Sequence, residues 1–121
     1  MLAVRSLEDL PEAVRRDREF GPAVYLLGSP LLADKIPATL VVLDRRFINW
    51  ERLIPAASMW STGEKMYLAL AFNLWSGNSE YDWITPDPYL NPYRWSTTLT
   101  DYSRFLEALA LSGGLVLAEA T

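Results

Sequence analysis

The most regular hydrophobic pattern in the chain starts at Ser61-Thr62-Gly63-Glu64, where serine precedes glutamate by three residues and an apolar run follows. That spacing is a capping box, in which each side chain accepts a hydrogen bond from an otherwise orphaned N–H of the first turn. It predicts a helix over 62–76, closed by Gly77, because glycine suits the left-handed cap. Met66, Tyr67, Leu68, Ala69, Leu70, Ala71, Phe72, Leu74 and Trp75 leave this helix apolar almost all round. A helix of that kind is buried on most sides, inside the domain or at a subunit contact.

Other segments carry shorter patterns. Residues 2–6 (LAVRS) read as a short strand, and Asp9-x-x-Glu12 with Pro11 in the first turn opens a helix. Leu10, Ala13 and Val14 would face the core, with the arginines in water. Phe20-Gly21-Pro22 then ends that helix, and 23–27 (AVYLL) reads as a buried strand. After a loop over 28–37, the β-branched run 38–43 (ATLVVL) is the clearest strand and belongs at the centre of a sheet. Asp44 or Asn49 caps a short helix that ends near Pro55. Leu99, Tyr102, Phe105, Leu106 and Leu109 recur at helical spacing, with N-caps available over 96–100 and Ser112-Gly113-Gly114 as the stop. Residues 115–119 (LVLAE) return as a final strand. The predicted class is α+β: one small domain over 1–121, a mixed sheet of about three to four strands, and about four helices packed on it.

Between Trp75 and Trp95 both periods disappear. The 21 residues hold six of the chain's fifteen aromatics and Pro86, Pro88 and Pro92. A long loop over 77–95 is therefore expected. Loops of that length in compact domains are functional or disordered, and aromatic content argues against disorder. The binding candidates are Tyr81, Trp83, Asp87, Tyr89, Tyr93 and Trp95. Trp and Tyr dominate interface hot spots, and prolines reduce the entropy lost when a loop is fixed on a partner. The competing reading has the rings of Trp83, Tyr89, Tyr93 and Trp95 folded back as core packing, which is the assignment for Trp75 at the end of the apolar helix.

Composition removes whole classes of chemistry. The chain has no Cys and no His, so disulfides, thiolate nucleophiles and histidine-based catalysis are excluded. Thr62-Gly63-Glu64-Lys65 matches the linker between tandem zinc fingers, a coincidence in a chain without zinc ligands. One glycine before Lys65 does not make a phosphate loop, and the acids do not form a calcium loop. A net charge of −4 lacks the footprint of a nucleic-acid binder, and Arg15-Arg16-Asp17-Arg18-Glu19 reads as a solvated helix face. The apolar run 66–75 is too short for a membrane span of about 20 residues. Acids within the first ten residues argue against a signal peptide, so a cytoplasmic location is expected.

By elimination, the expected function is binding to another protein, as adaptor, inhibitor or subunit, through the aromatic loop. No catalytic residue, metal or cofactor is assigned. The apolar helix and the 50% apolar composition also point to a homodimer. The alternative is a carboxylate-based enzyme or a binding module for a polar small molecule such as a glycan, using Asp82 or Asp87 among the rings. A protein interface would be a flat apolar patch, whereas a small-molecule site would be a pocket with converging polar groups.

Overall fold

A computed structural model describes residues 2–113; the strand expected at 115–119 lies outside the described residues. The long helix forms where its pattern places it. Thr62–Ser76 (called α4 to keep chain order) is capped by Ser61, whose hydroxyl accepts from the Glu64 N–H at 3.2 Å, while the Glu64 carboxylate accepts from the Ser61 N–H at 2.9 Å. Gly77 closes it at φ 79°. Every residue from Met66 to Phe72 is buried. The apolar circumference is covered within the chain over that stretch.

The element covering much of it reverses a prediction. Residues expected to end a helix and begin a strand instead form a fully buried helix, Phe20–Leu27 (α2), preceded by a single turn, Glu12–Arg15 (α1). Gly21-Pro22 lies in the first turn of α2, where the missing proline N–H has no intrahelical partner to lose. The Asp17 carboxylate accepts from the N–H groups of Glu19 and Phe20 at 3.0 and 2.9 Å, supplying the cap. Gly21 is required by proximity, since a Cβ there would stand 2.5 Å from the Val14 carbonyl oxygen. With all eight positions buried, AVYLL shows no strand or helix face; a short apolar run carries no period that separates the two.

The expected central strand is also shorter and differently placed. Residues Ala38–Leu40 form a 3₁₀ turn, and Val41–Val42 (β1) pairs antiparallel with Phe47–Ile48 (β2) in the register Val41↔Ile48, Val42↔Phe47. Arg46 adopts φ 50° in the connecting turn. Residues 2–6 belong to no sheet among the described residues; the Val4 N–H donates to the Gly28 carbonyl at 2.8 Å. The fold is therefore broadly α+β, with one two-stranded antiparallel sheet and seven helices among the described residues rather than three to four strands and about four helices.

The remaining helices are Trp50–Ala56 (α3), capped by Asn49, the single turn Pro86–Tyr89 (α5), Pro92–Thr98 (α6) and Ser103–Ser112 (α7). Helix α2 packs on α4 and α7, and α4 also meets α5, α6 and α7. Phe105 of α7 sits between Tyr67 and Trp95, with ring centroids 4.7 and 4.8 Å away in edge-on geometry. Leu106, expected on the same apolar face, points to solvent instead. Arg104 clips the N-terminal segment: its guanidinium donates to the carbonyls of Val4, Arg5 and Tyr25 and lies 4.0 Å over the Tyr25 ring. Burial, then the hydrogen bond to Glu107 at 2.8 Å, pushes the Tyr25 hydroxyl up to about 12. No helix among the described residues is long and apolar enough to cross a membrane.

Two predictions follow from the caps and the close approach. Gly21→Ala should cost about 2–3 kcal/mol by overpacking, and Gly77→Ala, with open space around it but a left-handed φ, about 1 kcal/mol. Urea melts compare them; equal losses would mean that the Val14 contact relaxes freely.

The carboxylates of Asp17 and Glu64 supply the pH dependence. Burial raises each one's pKa, but hydrogen bonds from backbone N–H groups and the cations Arg46 and Lys35 outweigh it, leaving both lowered. A lowered folded pKa stabilises above the unfolded carboxylate value and loses that stabilisation as pH falls through the folded one. Stability should therefore drop below about pH 4, and the Asp17→Asn, Glu64→Gln double variant should show a shallower drop in acid melts.

Candidate functional site

Three segments converge on one face. In β2 the side chains alternate, so Ile48 is buried and Phe47 points out, 46% exposed. Asn49 follows and caps α3, accepting from the Arg52 N–H at 3.2 Å. That cap fixes Trp50 in the first turn, where its ring meets Phe72 at 5.2 Å and Trp75 at 5.6 Å, both on α4. Beyond Gly77 the chain folds back, and Tyr81 and Ile84 exchange backbone hydrogen bonds of 3.1 and 2.9 Å across a turn with Asp82 at φ 54°. This turn lays the Tyr81 ring against Phe72 at 5.3 Å.

The result is an open cleft of about 430 Å³, walled by Phe47, Trp50, Phe72, Trp75 and Tyr81, with Ile48, Asn49 and Glu51 completing its lining. Three of the rings stay open to solvent: Phe47 and Tyr81 at 46% and Trp75 at 36%. Among the described residues Glu51 is the one carboxylate in the lining, and no Lys or Arg is part of it. Trp75 is also a wall of an adjoining groove formed by Asp17, Glu19, Phe20, Arg46 and Ser76, in which Arg46 pairs with Asp17 at 3.0 Å. Trp50 Nε1 is the one buried side-chain polar atom lacking a hydrogen-bond partner among the described residues, a shortfall of roughly 1–3 kcal/mol against a satisfied donor.

The six residues singled out from the sequence are dispersed. Tyr81 alone lines the cleft. Trp83 and Tyr89 form an edge-on pair 5.2 Å apart, half-buried beneath Lys65, whose Nζ lies 5.2 and 5.9 Å from their ring centroids. Trp83 Nε1 donates to the Ile54 carbonyl at 2.6 Å, anchoring the segment to α3. Trp95 is buried and donates to the Tyr89 carbonyl at 2.8 Å. Asp87 accepts from Arg94 at 3.1 Å and from Asn91 at 3.4 Å, which ties α5 to α6. Tyr93 is 64% exposed on a separate shallow surface with Asn91, Arg94 and Thr97.

The expected structureless loop at 77–95 thus contains a β-bridge, a helical turn and the start of α6. The residues before its prolines, Thr85, Asp87 and Asn91, are extended, as the steric demand of the proline ring requires. Sequence reasoning missed Phe47 and Trp50 and assigned Trp75 to packing alone. The alternation Phe47-out, Ile48-in was a usable signal, but two residues are too few to establish a period. No cluster of three or more potential metal ligands occurs among the described residues.

Trp83 now carries a structural expectation opposite to that of a presented ring. Trp83→Ala should cost about 2 kcal/mol, less than the full range for a buried tryptophan because the ring is half-buried. Tyr93→Ala should stay within about 0.5 kcal/mol. Denaturant melts of the two variants check both values, and a neutral Trp83→Ala would show that its anchor to α3 contributes nothing.

Against models of protein families, curated proteins and solved structures, the chain shows no match.

Proposed function

We propose that this chain works by binding another protein, as a cytoplasmic adaptor, inhibitor or subunit, and that the contact surface is the aromatic cleft rather than the Trp83–Tyr89 pair. The observation that supports this is the convergence of Phe47, Trp75 and Tyr81, three half-exposed rings from separate parts of the sequence, on one mostly apolar concavity. Rings of this size carry interface affinity because they bury large area with little rotamer entropy to lose. The cleft is preorganised: Trp50 and Phe72 form its floor and pack on each other, so little ordering is left to be done on binding. A glycan site would need several polar groups aimed inward. Here Asn49 is committed to capping α3, which leaves Glu51. A second copy of the chain could also meet these rings, which keeps a homodimer within the same proposal.

Selection of a displayed peptide library on the immobilised full chain tests this reading. Tyr81→Ala and Trp75→Ala should each weaken the selected peptides by about 2 kcal/mol, roughly thirtyfold, while changing stability by about 1 kcal/mol or less. Peptides that bind both variants as tightly as the parent would place the contact surface elsewhere.

A further inference from the structure

We infer that the cleft receives a positively charged side chain of the partner, a lysine or arginine carried on an exposed segment; this rests on the protein-binding reading above. Aromatic faces are electronegative, and a cation held over them is attracted most strongly where water is partly excluded. Phe47, Trp75 and Tyr81 line one concavity together with the buried Trp50, and the first three rings stay open to solvent. The protein already uses this interaction twice in its own packing, with Lys65 over Trp83 and Tyr89 and Arg104 over Tyr25. In the cleft the rings are present and, among the described residues, the lining supplies them a carboxylate, Glu51, and no basic residue.

The surroundings reinforce the preference. Across Trp75 the adjoining groove sets Asp17 and Glu19 against Arg46, whose guanidinium is already paired with Asp17. Along the two depressions three carboxylates thus face one engaged cation. A partner's acidic side chain would meet repulsion there, and an uncharged one would forgo the attraction of Glu51. The overall charge of −4 acts in the same direction at longer range. An apolar cleft alone would accept leucine as readily as arginine; the carboxylate on its wall is what separates them.

The test uses the full chain, isotope-labelled for indole N–H resonances, titrated with three blocked pentapeptides that differ in the central residue: Gly-Gly-Arg-Gly-Gly, Gly-Gly-Lys-Gly-Gly and the uncharged Gly-Gly-norleucine-Gly-Gly. Choline is added as a fourth probe. The arginine and lysine peptides should shift the Trp50 and Trp75 signals saturably, and leave the Trp95 signal in place. The norleucine peptide should bind about tenfold more weakly, and Glu51→Gln should reduce arginine-peptide affinity about threefold to tenfold without changing the norleucine value. Raising salt from about 50 mM to about 500 mM should weaken the charged peptides selectively. Equal binding of the norleucine peptide, or indifference to Glu51→Gln, overturns the cationic inference and leaves apolar docking intact. Saturable binding of choline without the peptides would overturn the peptide source. No shift at Trp50 or Trp75 with any peptide up to solubility would overturn the protein-binding reading together with this one.

Discussion

Two helices without a polar face lie against each other at the centre of this protein, and the rest of the chain is arranged to cover them. Helix α2 is buried at all eight positions and α4 from Met66 to Phe72. Over those positions neither has a face in water, so that stretch of each needs neighbours around its whole circumference. That requirement explains why the described residues form several short helices and one minimal hairpin instead of a broad sheet. A sheet covers one face of a helix, whereas a shell of short elements can wrap it.

The close approach that begins α2 shows how tightly the wrapping is specified. Gly21 leaves no room for a Cβ beneath the Val14 carbonyl, and Asp17 caps the same turn while pairing with Arg46 of the hairpin. One side chain thus links the start of the buried helix to the turn that orients β2. The Arg104 clip does the equivalent work at the other end of α2, where it satisfies the Tyr25 carbonyl and two carbonyls of the N-terminal segment. The partly buried Tyr25 and Val4 carbonyls need donors, and a single guanidinium provides them.

The cleft arises from the same wrapping. Helix α4 runs out of cover at its C-terminal end, where Phe72 is buried but Trp75 is not. The hairpin and the first turn of α3 reach one side of that end, and the turn at Tyr81–Ile84 reaches the other. The gap between them is lined by the rings that close the helix. A surface with this composition follows from where covering stops, and Glu51 on the first turn of α3 gives it a sign of charge.

Local chemistry in the sequence determined the elements whose signals are carried by side-chain and backbone bonds between near neighbours. The Ser61–Glu64 box, the Gly77 stop and the Gly113 stop stand where the residues placed them, and of the two caps the sequence offered for α3 the helix uses Asn49. Aromatic density also marked 77–95 as ordered. Tertiary structure decided what local chemistry leaves open. AVYLL became a helix because full burial erases the period that distinguishes helix from strand, and ATLVVL kept only two paired residues because no further strand lies beside it among the described residues. Trp83 and Trp95 turned inward because the Ile54 and Tyr89 carbonyls, five or more residues away, offered their indole N–H groups partners. Phe47, Trp50 and Trp75 became one site for the same reason: long-range packing brings their rings together, and no spacing along the chain records it.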